Sequence, residues 1–489
     1  MGMRLHDTLS RRLQPVAPLE PGHVRLYTCG PTVWNRAHIG NFRTFLFEDV
    51  LRRWLERRFD RVTHVMNITD VDDRLIRNAG EHGHGLADET RPWIEGFFAD
   101  VDTLGIRRAH HYPRATRYIE EMVALVERLE AAGVTYRGDG GIYFRIASFP
   151  RYGALSGIRA EGLVAGASGR VDADDYSKED ARDFALWKVV GPGEIGWDTR
   201  LGRGRPGWHI ECSAMSMALL GESFDIHCGG VDNIFPHHEN EIAQSEAATG
   251  RAFVRTWCHG EHLSVGGEKM AKRFGNFRTV PQLVEAGYRP SAIRFFLIAG
   301  AHYRRRLDWD EEPLQAASEA VQRLRDFRDR VRRERAGGGA AASGPGSARV
   351  AGAEEGPPSR DALVARVAEA TAAFEAAMDD DLNVPAAVGQ VFAAIRDLNR
   401  LLDAEPPAAA VAQRLEDWVA AVDDVLGVLP LADRESEAGL GPEEQELLDR
   451  RAAARARRDF EESDRLRAEL AARGVIVEDT PGGQRWRRA

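Results

Sequence analysis

A short apolar strand, a glycine turn and a helical segment follow one another near the start of the chain, and they strongly constrain its fold. Residues 24–28 have the composition of a buried strand, Gly30 and Pro31 turn the chain, and residues 41–58 carry apolar side chains at helical spacing. A second strand is predicted at 62–68, with a helix from Val71. Strands that alternate with helices predict an α/β fold with a parallel sheet, of the Rossmann type that binds nucleotides.

The same pattern returns later in the chain. Residues 224–227 predict a strand that leads through a glycine-rich loop into a helix at 238–248. Residues 110–205 mix one helix, at 118–132, with polar, glycine-rich, short-strand sequence. We interpret this stretch as a connective domain inserted between two halves of a catalytic domain that spans residues 1–310.

The second half of the chain is predicted to be mainly helical. A helical pattern at 311–335 precedes a Gly/Ala/Ser/Pro-rich stretch, which we interpret as a flexible insertion at 336–360. Amphipathic helices resume at 361–430, so residues 311–430 form a predicted helical bundle. Residues 441–489 predict a small α+β domain, with one helix at about 442–473, a strand at 474–477 and a turn at 481–483.

Composition excludes some classes of protein. The 489 residues suit two to four domains, and no apolar run is long enough to cross a bilayer. The N-terminus lacks the apolar core of a signal peptide, so we expect a cytoplasmic protein. The four cysteines lie far apart in sequence, which indicates metal binding or chance rather than a disulfide framework.

The charge distribution leaves nucleic-acid binding open. The net charge is −10, but residues 361–440 hold 16 acidic and 5 basic side chains, so the rest of the chain carries +1. Arginines cluster in the last segment, at positions 450, 451, 455, 457 and 458 and again at 485, 487 and 488. On charge alone, ion pairs on a helix surface are the favoured interpretation.

The loop at 29–41 lies between the first strand and its helix, where open α/β sheets bind ligands. A glycine there lets a nucleotide approach the backbone at the helix N-terminus, where the helix dipole favours phosphate. His38 can donate to a phosphate oxygen. Taken alone, a capping or surface histidine is the more common role for such a residue.

Two lysines spaced three apart, Lys269 and Lys272, follow a glycine pair in a predicted loop at 266–276. Such a pair can close over a triphosphate and neutralise the charge that develops as pyrophosphate leaves. The alternative is a solvated basic loop.

A third constellation resembles a metal site. Helical spacing places His237 and Glu241 on one face, although His238 is also within reach of Glu241, so spacing does not choose between the histidines. Cys212 and Cys29 offer two thiols, which with one imidazole and one carboxylate make a plausible zinc site. Buried inert cysteines beside a polar helix start are the alternative.

One motif matches a nucleotide-binding pattern, but we interpret it as a chance match. Residues 202–207 match G-x-G-x-x-G, but we predict neither a clear strand before them nor a helix after them, and Pro206 disfavours dinucleotide geometry. The sequence G-x-x-x-x-G-K-[ST] does not occur, which excludes a P-loop.

Taken together, these segments resemble the cysteinyl-tRNA synthetase family of class I across essentially the whole chain. Residues 38–41 look like the HIGH element, residues 269–273 like the KMSKS loop, and residues 381–385 like the helical-bundle signature. The other segments that carry the resemblance are 26–33, 206–213, 235–241 and 464–486. Two departures stand out, since Asn41 replaces the last histidine of HIGH, and Ala271 and Arg273 replace the two serines of KMSKS.

The resemblance implies an activity, cofactors and site residues. It implies that each chain binds one Zn²⁺ and uses ATP with Mg²⁺, and that L-cysteine and tRNA(Cys) are the other substrates. We expect the protein to be a monomer that does not associate with a membrane. The implied zinc ligands are Cys29, Cys212, His237 and Glu241. The implied ATP-site and catalytic residues are His38, Gly40, Asn41, Lys269 and Lys272. The implied amino-acid pocket contains Gly30, Thr69, Trp208 and Asp232, and the implied tRNA contacts are Arg485, Trp486 and Arg487.

Two other functions remain alternatives at this point. A ligase that joins cysteine to an amino sugar in mycothiol synthesis shares the adenylation site and the zinc, but it has no use for a tRNA-binding end. A non-catalytic RNA-binding relative is compatible with the altered KMSKS loop.

Overall fold

The computed structural model describes residues 2–158, 183–269, 277–337, 360–437, 442–473, 475–480 and 483–488. The strands of the first 310 residues are β1 (Arg4–Asp7), β2 (Arg12–Pro15), β3 (His23–Thr28), β4 (Arg61–Met66), β5 (Thr135–Gly138), β6 (Gly141–Phe144), β7 (Phe184–Val189), β8 (Trp197–Thr199), β9 (Gly202–Pro206), β10 (Phe224–Gly230), β11 (Val254–Gly260), β12 (Leu263–Val265), β13 (Glu268–Lys269) and β14 (Leu307–Trp309). The helices of this part are α1 (Ile39–Arg58), α2 (Asp73–His82), α3 (Leu86–Thr103), α4 (Ile119–Ala131), α5 (Trp208–Leu220), α6 (Glu239–Thr249), α7 (Val280–Glu285) and α8 (Pro290–Ala299).

The remaining elements are mostly helical. They are α9 (Glu311–Gly337), α10 (Arg360–Asp379), α11 (Val384–Ala404), α12 (Ala409–Leu426), α13 (Leu429–Glu437), α14 (Pro442–Ala456), α15 (Phe460–Ala472), β15 (Val475–Thr480) and β16 (Gly483–Arg488). Most of the predicted insertion at 336–360 lies outside the described residues. No helix among the described residues is long and apolar enough to cross a membrane.

A four-stranded parallel sheet in the order β11-β10-β3-β4 forms the centre of the first half. The chain passes from β3 through α1 to β4 on one side of β3, and it later adds β10 and β11 on the other side. The order therefore reverses between β3 and β10, and ligands of open α/β sheets bind at the carboxyl ends of the strands at such a point. The predicted α/β fold class is confirmed.

Helix α1 packs between this sheet and the helical bundle. Phe42, Leu46 and Trp54 are fully buried against the sheet and the bundle. The carboxylate of Asp49 is buried too, and it accepts hydrogen bonds from Arg53 at 2.8 Å and from Arg294 of α8 at 2.5 Å. The catalytic half and the bundle consequently share one hydrophobic core.

The inserted segment folds as an antiparallel sheet in the order β5-β6-β7-β9-β8, beside α4. Here the interpretation of residues 202–207 is partly wrong, because β8 precedes them and α5 follows them; residues 202–206 themselves form β9, and Gly207 is the N-cap of α5. Gly204 and Gly207 allow close packing against the neighbouring strand β7. A Cβ at Gly204 would lie 2.4 Å from the carbonyl oxygen of Lys188, and one at Gly207 would lie 1.9 Å from that of Ala185.

The start of α11 is joined to the catalytic half through Asp381. This carboxylate accepts hydrogen bonds from the Tyr303 hydroxyl at 2.7 Å, from Arg304 Nε at 2.7 Å and from the backbone amide of His6 at 2.8 Å. Asp381 and Leu382 both adopt positive φ angles, of 63° and 54°. These contacts stabilise a backbone conformation that is unusual for residues other than glycine.

The prediction of a single helix at 442–473 is wrong. Arg458, at φ 60°, ends the first helix in the left-handed region, and the side chain of Asp459 accepts from the amide of Glu462 to begin the next. Two helices, α14 and α15, result. The expected ion pairs form around them, since Arg451 and Arg455 both pair with Asp479.

Candidate metal and nucleotide site

Four buried side chains from different parts of the chain meet beside the carboxyl end of β3. The ligand atoms of Cys29, Cys212, His237 and Glu241 all lie within 4.8 Å of one another. Cys29 follows β3, Cys212 lies in α5, and His237 precedes α6, which contains Glu241. These are the same four residues that the family resemblance implied.

A second group of possible ligands overlaps the first. Cys29, His227, His238 and Glu241 also lie within 4.8 Å of one another and are buried. His238 Nε2 is 3.2 Å from the Cys29 sulfur, and His238 Nδ1 is 2.8 Å from His259 Nε2. The ambiguity between His237 and His238 that spacing left open is thus present in three dimensions.

Hydrogen bonds around Glu241 favour the set with two cysteines. Its Oε2 is 3.1 Å from His227 Nε2, whereas Oε1 has no hydrogen-bond partner among the described residues and lies 3.1 Å from His237 Nε2. His237 Nδ1 is 3.0 Å from His209 Nδ1. Metal-bound histidines and carboxylates commonly use their second polar atom for such an outer hydrogen bond, so these residues fit Zn²⁺.

Burial controls the protonation of this region. Burial, together with the neighbouring Cys212, raises the pKa of Cys29 well above its ordinary value. Burial lowers the pKa of His209 and of His259 to about 3, and it lowers that of His238 strongly as well. These three imidazoles are therefore neutral at pH 7, the state in which histidine binds metal, and a metal bound by Cys29 would displace the proton of its thiol.

Two predicted pocket residues border the four-residue group. Trp208 is half-buried, and its indole stacks on the His237 ring with centroids 4.2 Å apart and an angle of 18° between planes. Thr69 is buried; its hydroxyl accepts from Asn67 at 3.0 Å, and its backbone amide donates to Pro31 at 3.1 Å. Trp208 therefore contacts a member of the four-residue group, whereas Thr69 is bonded to the loop that follows Cys29.

The other two predicted pocket residues occupy the ends of β3 and β10. Gly30 must be glycine because a Cβ there would lie 1.8 Å from the carbonyl oxygen of Asn67. Its amide donates to Asn67 Oδ1 at 2.9 Å. Asp232 is half-buried just after β10, and its charge opposes the effect of burial on the pKa of His259.

The predicted phosphate turn is a helix cap. His38 Nδ1 accepts from the amide of Asn41 at 3.3 Å, and Asn41 Oδ1 accepts from the amide of His38 at 3.1 Å. Both residues remain partly or largely exposed, and Gly40 packs against His38, since a Cβ there would lie 2.9 Å from its ring. The capping alternative thus holds for His38 without excluding phosphate binding at the same helix N-terminus.

The segment that follows the predicted lysine loop meets this cap. The His38 ring lies edge-on to Phe277 at 5.3 Å, and the amide of Ile39 donates to the carbonyl of Arg278 at 2.8 Å. Lys269 lies in β13, opposite Ser264 of β12. Lys272 lies outside the described residues.

Comparison with known proteins identifies the family. Residues 15–319 match the family described as tRNA synthetases class I (C) catalytic domain, residues 373–430 match the DALR domain, and residues 437–487 match the cysteinyl-tRNA ligase anticodon binding domain. The cysteine–tRNA ligase of Solibacter usitatus is 44% identical over 495 residues and covers 100% of both chains. That of Chlamydia muridarum is 42% identical over 505 residues, again covering 100% of both.

The chain belongs to the class I cysteine–tRNA ligase family. The resemblance stated from sequence is confirmed, and the match to an anticodon-binding domain disfavours the amino-sugar ligase. The fold agrees with solved class I enzymes. A methionyl-tRNA synthetase of Mycobacterium tuberculosis aligns with TM-score 0.59 at 15% identity over 83% of this chain and 90% of that one. The LeuRS of Agrobacterium radiobacter K84 aligns with TM-score 0.58 at 12% identity, over 85% and 86%.

Sequence reasoning missed several polar residues around the site of this cysteine–tRNA ligase family member. Three buried histidines lie around the four-residue group: His209 at the start of α5, His227 in the middle of β10 and His259 near the end of β11. Glu211 is also buried, and its Oε2 has no hydrogen-bond partner among the described residues. Burial raises the pKa of Glu211 well above its ordinary value. A sequence signal was available for His209 and Glu211, which lie within three residues of the predicted ligand Cys212, but not for His227 or His259.

The predicted tRNA contacts lie in the family's anticodon-binding region. Arg485, Trp486 and Arg487 are successive residues of β16, which pairs with β15. Trp486 is partly buried against the small hydrophobic cluster of this region, which includes Leu447, Leu466 and Val477. Part of the Trp486 ring therefore serves core packing in this region.

Proposed function

We propose that this chain activates L-cysteine with ATP and transfers the cysteinyl group to the 3′ end of tRNA(Cys). The observation that carries the proposal is the convergence of Cys29, Cys212, His237 and Glu241 at the switch point of the parallel sheet. A buried set of two thiols, an imidazole and a carboxylate is suited to zinc. Cys29 begins the loop that leads to the N-terminus of α1, where we expect the ATP phosphates to bind.

Zinc explains how cysteine is selected. Serine differs from cysteine mainly by oxygen in place of sulfur, and a cavity alone rejects so close an isostere weakly. Zn²⁺ held by the four residues would supply a soft Lewis acid that prefers sulfur to oxygen as a ligand. Trp208 and Thr69 would bound the amino-acid pocket beside it, with Gly30 and Asp232 at the strand ends.

The residues of the phosphate site act by position and charge. The substrate carboxylate would attack the α-phosphate of ATP and pyrophosphate would leave, with His38, Asn41, Lys269 and Lys272 positioning the phosphates and Mg²⁺ supplying further positive charge. A preorganised contact to charge that develops in the transition state is worth about 2.7–4 kcal/mol. We therefore expect Lys269→Ala to slow cysteine-dependent pyrophosphate exchange by roughly 10²–10³-fold while the protein stays folded.

The end of the chain would read the tRNA. Trp486 suits stacking on an unpaired base, and Arg485 and Arg487 suit phosphate contacts around it. Deletion of residues 441–489 should leave adenylate formation intact and impair charging of tRNA(Cys). Equal charging by the shortened chain would refute this assignment. We expect the monomer to be the active form.

The decisive experiment measures cysteine-dependent ATP–pyrophosphate exchange and then offers two acceptors in parallel. Transfer to tRNA(Cys) supports the proposal, whereas transfer only to an amino sugar supports the mycothiol-type ligase. Absence of exchange supports a non-catalytic RNA-binding relative.

The metal assignment has a matched control within the chain. Cys212→Ser should lose zinc and the preference for cysteine over serine. Cys258→Ala should keep both, because Cys258 is equally buried but lies in β11 outside both ligand groups. Unchanged discrimination by metal-free Cys212→Ser would overturn the role of zinc.

A further inference from the structure

A second group of metal-type side chains lies at the turn between α2 and α3. His82, His84 and Glu89 offer ligand atoms within 4.8 Å of one another. The two imidazoles are about half exposed, with 56% and 53% of their side-chain surface accessible, whereas Glu89 is buried with only 6% accessible. The three residues share no member with the buried groups around Cys29.

The distances suit a small tetrahedral ion. Glu89 Oε2 lies 2.9 Å from His82 Nδ1 and 3.5 Å from His84 Nδ1. Bonds of 2.0–2.1 Å at tetrahedral angles would place ligand atoms about 3.3 Å apart. The rings themselves are 5.8 Å apart between centroids, so both can face the same point.

The backbone fixes the positions of the three residues. Gly83 ends α2 in the left-handed conformation, at φ 68°, and the amide of His84 donates to the carbonyl of Ala79 at 2.9 Å. The amide of Glu89 then donates to the carbonyl of Gly85 at 3.0 Å in the first turn of α3. A left-handed glycine at the helix end thus holds one histidine on each side of itself.

The donor chemistry selects a class of ion. Two imidazoles and one carboxylate are typical of transition-metal sites with three protein ligands and an open position for water. Magnesium and calcium prefer sets made of oxygen ligands alone. The exposed side of the two imidazoles leaves room for the solvent ligand.

We propose that His82, His84 and Glu89 form a second binding site for a divalent transition-metal ion such as Zn²⁺, separate from the buried cysteine-containing site. The ion ties the end of α2 to the start of α3. The start of α2 contacts the inserted sheet, because Asp73 pairs with Lys188 at 2.9 Å and also with Arg205. Occupation of the site would stiffen the helical hairpin that carries this contact.

Metal content under controlled free Zn²⁺ tests the proposal on the full-length protein. Dialysis against buffered Zn²⁺ over a range of concentrations should load one more equivalent on the wild-type chain than on His82→Ala or His84→Ala. His111→Ala is the matched control and should keep the wild-type content, because it removes an exposed histidine outside the group. Equal metal content in wild type and both variants across the range would overturn the proposal.

A spectroscopic readout keeps the two sites distinct. With Co²⁺ in place of Zn²⁺, the thiolates of the buried site should give intense charge-transfer bands, which His82→Ala should leave unchanged. The same variant should lose the additional equivalent of Co²⁺. Loss of the thiolate bands together with that equivalent would show that the histidine affects the buried site, and it would also overturn the proposal.

Discussion

The indole of Trp208 stacks on the imidazole of His237, with ring centroids 4.2 Å apart. Trp208 was predicted to line the amino-acid pocket and His237 to bind zinc. The stacking therefore brings the predicted pocket and the predicted metal site into direct contact. His237 also contacts His209 through Nδ1 at 3.0 Å. The orientation of a proposed ligand is therefore held by an aromatic face and a hydrogen bond.

Replacement of Trp208 should affect metal and amino acid together. We expect Trp208→Leu to bind zinc about 10–100-fold more weakly, the range typical for loss of a supporting residue, and to raise the KM for cysteine. Trp208→Phe keeps an aromatic face and should stay close to wild type. Zinc competition with a chelator and pyrophosphate exchange measure the two effects. A raised KM with unchanged zinc affinity would mean that the stacking does not orient the ligand.

Removal of the His227 side chain should weaken zinc binding without removing a proposed ligand. His227 Nε2 lies 3.1 Å from Glu241 Oε2, so His227→Gln should lower zinc affinity about 10–100-fold. His64→Gln is the control, since His64 is a buried histidine in β4 that contacts Thr28 at 3.0 Å. Equal losses in both variants would indicate a general packing defect.

The two roles of His38 can be separated by one substitution. Asparagine is a good N-cap residue, so His38→Asn should keep the unfolding free energy within about 0.5 kcal/mol of wild type. It should still slow pyrophosphate exchange by roughly 10²–10³-fold if the ring contacts phosphate. Chemical denaturation measures the unfolding free energy, and the exchange assay measures the rate of pyrophosphate exchange. Wild-type exchange in this variant would reduce His38 to a cap.

The buried pair of Asp49 and Arg294 should make stability depend on pH. Burial raises the pKa of Asp49, but Arg294 and Arg53 more than offset it, so the carboxyl pKa lies below its ordinary value. The stabilisation is complete above the unfolded pKa of about 3.9, and it is lost as the pH falls through the folded value. Asp49→Asn should cost about 3–5 kcal/mol at pH 7, and the difference from wild type should shrink below about pH 4.

A surface pair provides the control for that experiment. Asp198 pairs with Arg203 at 3.3 Å with 82% of its side chain exposed, so Asp198→Asn should cost less than about 1 kcal/mol at any pH. Urea denaturation at several pH values compares the two variants. If the difference in unfolding free energy between wild type and Asp49→Asn stays constant down to pH 3, the lowered pKa of Asp49 is contradicted.

Local sequence patterns predicted the first strand and helix, together with the site residues at the ends of these elements. The strand at 24–28 and the helix at 41–58 follow from periodicity, and Cys29 and Asn41 lie at their ends. Helical spacing placed both His237 and His238 within reach of Glu241, and the structure brings each of these histidines into a group with Glu241 and Cys29. The ligand set itself came from family resemblance, because residues some 200 positions apart have no local pattern that joins them.

The misses have physical reasons. His227 and His259 lie on neighbouring strands, and only the parallel register brings them near Glu241 and His238. The break at Arg458 was missed because a left-handed conformation is uncommon outside glycine, so periodicity continued across it. The domain boundaries and the tRNA contacts stay predictions.

The hydrogen bond from Ile39 to Arg278 has a mechanical consequence. It joins the first turn of α1 to the residues that directly follow the predicted lysine loop. The HIGH-like and KMSKS-like segments, which are far apart in sequence, are therefore connected at this point. A displacement at Phe277 would reach the imidazole of His38 directly. The N-terminus of α1, which we propose as the phosphate site, is thereby joined to the described residues that follow the predicted lysine loop.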